Sequence, residues 1–246
     1  MENVVNLGIP HVGEQIFEST DTKTLVQCLS VSKAWKKLAE NVLCKRCDDE
    51  FLFESCEKGN SEIVRMILER SKQDINTQDI FGDTALMLAC QKGHKDVVKI
   101  LLESKEIDFN IRNSSGWTAF IYACRNGHHD IVKLLLDNQR IDINAKSNNG
   151  NSAFTLACTH GLMNIVKLML DSSRHFLIDF NAFMSACKNG HKDVVKLIFE
   201  HPNNERIDFN RKIELKLAEK QGHREIIELI HEYLTKTKKI ISLKKA

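Results

Sequence analysis

The chain has 246 residues, of which 42% are hydrophobic and 28% charged, and its formal net charge is +2. These values are ordinary for a soluble globular protein of one or two domains, and so small a net charge implies no strong electrostatic partner. Residues 1–5 have neither the basic flank nor the apolar core of a signal peptide, and no apolar run is long enough to span a bilayer. We therefore expect an intracellular, cytoplasmic protein with no membrane partner.

The N-terminal segment, residues 1–46, contains short helical patterns with few apolar members. Asp21 and Ser32 each precede such a pattern and can cap it, which predicts three short helices between residues 9 and 43. A segment this small is marginal as an independent domain. We therefore expect contacts with a partner or with the rest of the chain to stabilise it.

Several motifs of this segment occur in a known order. They are Ile9-Pro10, Ile16-Phe17, Asp21 followed by Leu25, and Val31-Ser32-Lys33-Ala34-Trp35-Lys36-Lys37-Leu38-Ala39. In these motifs the segment resembles an F-box, although the stretch from Pro10 to Ile16 is one residue short and Thr20 stands where an apolar residue is usual.

The F-box resemblance implies a partner. Such segments dock on a Skp-type adaptor, which joins a cullin scaffold carrying the ubiquitin-transfer machinery. The adaptor-facing residues would be Ile9, Pro10, Ile16 and Leu25. The alternative is that this segment only caps the repeats that follow, because terminal repeats need a polar cap.

From residue 47 onward one pattern recurs at a fixed interval. Cys56, Cys90, Cys124 and Cys158 are spaced 34 residues apart, and a glycine follows three positions after each. A fixed period of this length indicates stacked supersecondary units. The turn glycines of the six units are Gly59, Gly93, Gly127, Gly161, Gly190 and Gly222.

Each unit contains two helical patterns around its glycine. A shorter helix precedes the glycine, and in three units it begins at a hydroxyl residue, Thr84, Thr118 or Ser152, which can accept the unpaired N–H groups of the first turn. An apolar run with helical spacing follows the glycine and predicts one buried stripe per unit. The fold class predicted is all-α, a short three-helix segment followed by a solenoid of helix pairs with short finger loops.

The repeated phrase resembles the ankyrin repeat. It appears as Gly82-Asp83-Thr84-Ala85-Leu86 and Gly116-Trp117-Thr118-Ala119-Phe120, with alanine where that family usually has proline. We predict an ankyrin repeat domain over residues 47–234, with about six repeats and atypical first and last units. The fifth repeat has a shortened finger, and residues 235–246 form a basic tail.

The ankyrin resemblance also implies which positions bind a protein substrate. Such stacks bind through their finger tips and inner helices, which together form a concave face. Trp117 and Arg125 are residue types that dominate binding hot spots, although a tryptophan at this position can also serve finger packing. The predicted partner-binding residues are Phe81, Asp83, Gln91, Lys92, Trp117, Arg125, Asn126, Asn149, Asn151 and His160.

Neither the cysteines nor the histidines predict a metal site, a cofactor or an enzyme. The segment Cys44-Lys45-Arg46-Cys47 has the spacing of half a zinc site, but no second half follows at a suitable distance. The repeat cysteines are expected to be buried, reduced and too far apart to bridge. The histidines after the turn glycines occur one per repeat, and the ankyrin resemblance implies that they bond to the backbone of an adjacent turn.

Two functions remain open at this point. The first is a substrate-recognition subunit of a cullin-type ubiquitin ligase, which binds an adaptor and an unknown protein substrate and has no catalytic residues of its own. The second is an ankyrin adaptor without any link to a ligase. The five lysines of residues 235–246 indicate a solvated basic terminus, with a nuclear address as the alternative, and we expect no nucleic-acid partner.

Overall fold

The computed structural model describes residues 49–70, 74–172, 180–201 and 211–244. The F-box-like segment, with the predicted adaptor-facing residues, lies outside this part of the chain. The chain divides into two compact units, Met1–Asp108 and Phe109–Ala246, called here the first unit and the second unit.

The described residues form consecutive helix pairs. In the first unit, α1 (Asp49–Lys58) precedes α2 (Ser61–Arg70), and α3 (Ala85–Lys92) precedes α4 (Lys95–Glu103). The predicted helical class is confirmed for the described ranges, whose only β pairing is an isolated bridge between Lys146 and Ser152. The helices of the second unit are α5 (Ala119–Arg125), α6 (His129–Leu136), α7 (Ala153–Thr159), α8 (Met163–Asp171), α9 (Phe180–Lys188), α10 (Lys192–Glu200), α11 (Arg211–Gln221) and α12 (Arg224–Lys244).

Helices α3, α5 and α7 begin at the predicted hydroxyl caps. The side chain of Thr84 accepts a hydrogen bond from the backbone N–H of Met87, and that of Ser152 accepts one from Thr155, at 3.3 and 3.1 Å. These bonds satisfy N–H groups that a helix leaves unpaired at its start. The caps therefore determine where each short helix begins, and hence where the preceding finger ends.

Histidines connect successive turns within each unit. At Gly161, where φ is +66°, an added Cβ would lie 2.5 Å from the Nδ1 atom of His191, so only glycine lets the ring approach this closely. The predicted backbone bonding is confirmed for three of these histidines. Each donates its Nε2–H to a carbonyl of the preceding turn: His94 to Glu57 at 2.7 Å, His191 to Thr159 at 2.9 Å and His223 to Lys188 at 3.0 Å.

The core lies between neighbouring pairs within each unit. In the first unit α1 packs on α3 and α2 packs on α4. In the second unit the first helices α5, α7, α9 and α11 pack in series, as do the second helices α6, α8, α10 and α12. The buried stripe of the second helices includes Val97, Val98, Leu101, Ile131, Val132, Leu135, Ile165, Val166, Met169, Val194, Val195 and Ile198.

Two helices of the second unit have bounds that the repeat period alone does not give. Helix α9 begins at Phe180, so Asn181 lies inside it. The expected basic tail begins within α12, which continues to Lys244 because no glycine or proline interrupts it. None of the helices that the structure describes is both long and apolar enough to cross a membrane.

The five repeat cysteines are buried, as the ankyrin resemblance implies, and none of them forms a disulfide: Cys56, Cys90, Cys124, Cys158 and Cys187. Burial removes the thiolate from water and therefore raises the pKa of Cys56 to about 12. It also raises the pKa of Cys90. Since the thiolate is the reactive form, these thiols are protected chemically as well as sterically.

We expect these five thiols to resist a disulfide reagent in the native protein at about pH 8 and to react after unfolding in guanidinium. All five have no exposed surface, and at that pH Cys56, with a pKa of about 12, is thiolate in only about one molecule in ten thousand. All eight cysteines of the chain should then titrate in the unfolded protein. Fewer than eight, or stoichiometric zinc by elemental analysis, would contradict the expectation that all are reduced and metal-free.

Candidate protein-binding surface

The finger of residues 113–117 in the second unit is closed by one asparagine. The side-chain oxygen of Asn113 accepts the backbone N–H groups of Ser115 and Trp117, at 3.0 and 2.8 Å. Its side-chain nitrogen donates to the Tyr122 hydroxyl at 3.0 Å. The finger is thereby tied to α5 and presents Trp117 at a defined position.

Trp117 lies between Tyr122 and Arg125. Its ring centroid is 4.9 Å from that of Tyr122, with the planes tilted by 52°. The guanidinium carbon of Arg125 lies 4.9 Å from the Trp117 ring centroid, a cation–π distance. Trp117 is half-buried and Arg125 is exposed, so the cluster combines a supported aromatic face with an accessible positive charge.

The next finger, residues 147–151, is bonded to the first. The side-chain nitrogen of Asn148 donates to the Ser114 carbonyl, and its backbone N–H donates to the Ser115 carbonyl, both at 3.0 Å. Arg112 donates to the Lys146 carbonyl at 2.8 Å. Because backbone and side-chain bonds both cross between the fingers, their tips are held together.

The other predicted residues of the second unit lie around these fingers. Asn126 caps the C-terminal end of α5 and is exposed, as is Asn149 at the tip of its finger. Asn151 is half-buried, with its backbone N–H bonded to the Ser147 hydroxyl at 3.2 Å. His160 is exposed at the end of α7.

The four predicted residues of the first unit differ widely in exposure. Phe81 is 65% exposed at a finger tip, whereas Asp83, only 7% exposed, is part of the finger packing. Gln91 is half-buried on α3. Lys92 is exposed and lies 2.9 Å from the Glu57 carboxylate, so part of its charge is already compensated.

Sequence reasoning missed residues that organise these surfaces. The Tyr122 ring packs on Trp117. Its position within an apolar helical run gave no sign of this contact in the sequence. Asn110 bridges two loops: it donates to the Arg140 carbonyl at 2.9 Å and accepts the Asp142 N–H at 2.7 Å. Asn76 makes the equivalent bonds in the first unit: it donates to the Glu106 carbonyl and accepts the Asp108 N–H. The signal was present, since the Asp-x-Asn motif recurs at the repeat period.

Comparison with protein families identifies the repeat. The model described as ankyrin repeats (3 copies) matches residues 21–113, 52–147, 105–179, 139–213 and 155–240, which together cover most of the chain. The chain belongs to the ankyrin repeat family. Ankyrin repeats form protein–protein interaction domains, and the family is one of binding modules.

A solved structure has the same fold. The crystal structure of an ankyrin repeat domain from Acinetobacter baumannii AYE aligns with a TM-score of 0.65 and 22% sequence identity. The alignment covers 76% of this chain and 98% of that chain. No curated protein sequence matches this chain. At this identity the similarity establishes the ankyrin fold alone.

Proposed function

We propose that this protein recognises substrates for a cullin-type ubiquitin ligase. Its ankyrin repeats capture a protein substrate, and residues 1–46 bind a Skp-type adaptor. Holding a substrate lysine near a charged ubiquitin carrier raises its effective concentration, so no catalytic residue is required in this chain. The protein is then a ligase subunit without enzyme activity of its own.

The cluster of Trp117, Tyr122 and Arg125 is the observation that supports capture by the repeats. Tryptophan, tyrosine and arginine are the residues most often found at binding hot spots. Here Asn113 and the bonded fingers hold the aromatic rings in place before a partner arrives, which lowers the entropy cost of binding. The exposed Arg125 guanidinium suits a carboxylate on the partner.

The adaptor part rests on the F-box resemblance of residues 9–43. The first match to the ankyrin family begins at residue 21, so the family match and the F-box-like segment overlap. The alternative function is therefore an ankyrin adaptor whose N-terminal segment completes the repeat stack. Adaptor binding distinguishes the two.

Arg125→Ala is expected to reduce partner capture from a cell lysate about tenfold or more, without lowering the thermal midpoint, because Arg125 is exposed. Trp117→Ala is expected to reduce both partner capture and the thermal midpoint, since the ring also packs on Tyr122. Lys133→Ala removes another exposed positive charge, on α6, and is the control. Quantitative mass spectrometry of the captured proteins is the measurement, and the same recovery by wild type and Arg125→Ala would contradict this surface.

Pro10→Ala combined with Leu25→Ala is expected to weaken binding of a purified Skp-type adaptor by about 2–4 kcal/mol, because two apolar anchors are lost. Helicity by circular dichroism should not change. Pro202→Ala with Leu243→Ala makes the same change in composition outside the segment and should bind normally. If folded wild-type protein fails to bind the adaptor in a direct titration, the ligase proposal is wrong and the plain ankyrin adaptor remains.

A further inference from the structure

The first unit contains an open groove of about 1120 Å³ between α1, the finger of residues 79–83 and α3. This volume exceeds that of a typical small-molecule site and suits a stretch of polypeptide. Leu88 and Gln91 of α3 contribute to its wall. Five carboxylates also line it, and they are Glu50, Glu54, Glu57, Asp79 and Asp83.

Among the described residues, the charged side chains that line the groove are all acidic. Glu54 pairs with Lys58, and Glu57 pairs with Lys92, but neither lysine lines the groove. The lining residues among the described ranges include no lysine or arginine. Clustered charge of one sign in a concave surface concentrates the opposite charge there and repels phosphate. The acidic lining therefore favours a cationic segment over nucleic acid or anionic lipid.

The finger beside the groove carries an apolar tip. Ile80 is 90% exposed and Phe81 is 65% exposed, which is unusual for side chains of this size. The equivalent positions one and two repeats later are polar, namely Ser114 and Ser115, then Asn148 and Asn149. The apolar tip is thus a property of this finger and not of the repeat pattern.

This tip is held in a defined conformation. The Asp79 carboxylate accepts the backbone N–H groups of Phe81 and Asp83, both at 2.8 Å. The backbone N–H of Asp79 donates to the Asp83 carbonyl at 2.9 Å, and Gln78 donates to the Gly82 carbonyl at 2.6 Å. Four bonds across one turn present the two apolar side chains without the entropy cost of ordering a free loop.

We propose that this groove binds a segment of the protein partner that carries lysine or arginine residues beside a large apolar side chain. The inference rests on the proposed function and specifies the partner's chemistry. The carboxylates of α1 attract the cations, while the apolar side chain packs on Ile80 and Phe81. In the second unit Trp117 stands at the position equivalent to Asp83, and Arg125 at that equivalent to Gln91, so that unit has a different chemical preference.

The test uses the full chain and three short labelled peptides, measured by fluorescence anisotropy. The first contains lysine and leucine, the second has every lysine replaced by glutamate, and the third has every leucine replaced by serine. We expect the first to bind at least about tenfold more tightly than either of the others. Its affinity should fall as salt is raised, because screening weakens the attraction.

Peptide affinity in two double variants of the groove tests whether the peptide binds there, and the charge variant has a matched control. Glu50→Gln with Glu54→Gln should weaken the lysine peptide about tenfold, whereas Glu62→Gln with Glu103→Gln, the same charge change on α2 and α4, should not. Each pair includes one ion-paired carboxylate, since Glu54 pairs with Lys58 and Glu103 with Arg65. Ile80→Ser with Phe81→Ser copies the polar tip of the next finger and should weaken binding to a similar degree without unfolding the chain.

Equal binding of the lysine and glutamate peptides, or unchanged affinity in both groove variants, would overturn the inference. The result is separable from the proposed function, because the peptides require neither the adaptor nor Arg125. Failure of the peptides together with Arg125-dependent capture would reject the groove alone. Peptide binding without adaptor binding would reject the ligase role alone.

Discussion

Leu135→Ala is expected to lower the free energy of unfolding by about 2–5 kcal/mol. Leu135 has no exposed surface and lies on α6, which packs on both α5 and α8. Truncation removes buried methyl groups and leaves a cavity that neighbouring helices fill only in part. In a repeat stack each pair depends on its neighbours, so damage at this position also weakens α7 and α8.

The matched control is Leu134→Ala on the same helix. Leu134 is only half-buried, so the same chemical change should cost clearly less. Urea unfolding followed by circular dichroism gives both free energies, and the thermal midpoint of Leu135→Ala should fall by roughly 10 °C. Equal effects of the two substitutions would mean that the packing of α6 on its neighbours contributes little to stability.

Gly116→Ala is expected to destabilise the second unit by roughly 2–4 kcal/mol. Gly116 has φ of +76°, a conformation that costs other residues about 1 kcal/mol or more. An added Cβ would also lie 2.4 Å from the Asn148 side-chain oxygen and 2.8 Å from the Asn148 backbone nitrogen. The bonds of Asn148 to Ser114 and Ser115 must then break or lengthen, at about 1 kcal/mol each.

Gly150 provides a control with the same backbone strain. Its φ is +78°, yet nothing lies within 4 Å of an added Cβ. Gly150→Ala should therefore lower the free energy of unfolding only by the backbone strain, about 1 kcal/mol. The difference in unfolding free energy between the two variants then measures the contribution of the close contacts around Gly116. Gly116→Ala should also weaken partner capture, since it displaces the turn that presents Trp117. Identical unfolding free energies for the two variants would show that the fingers do not stabilise each other.

The sequence predicted which residues belong to the fingers but not which contacts those residues make. The repeat register identified Phe81, Asp83 and Trp117 as finger residues, yet it could not distinguish an exposed phenylalanine from a nearly buried aspartate two positions later. Nor could it indicate that Arg125 lies over Trp117, because that contact depends on how the finger folds back on α5. Exposure and stacking depend on neighbours that the local sequence does not specify.

The sequence by itself determined the ankyrin repeat, its helix starts and its turns, because these depend on interactions over a few residues. The Thr84 hydroxyl accepts the backbone N–H of Met87, only three residues later in the chain. The turn glycines adopt positive φ because they lack a Cβ, independently of their tertiary contacts. Only the tertiary structure decided which turns tolerate a side chain and which carboxylates share a groove. Gly116 and Gly150 are alike in sequence context and in φ, and they differ because Asn148 and Arg112 approach only Gly116. The acidic groove likewise joins α1, a finger and α3, and it exists because packing brings these distant stretches of chain together.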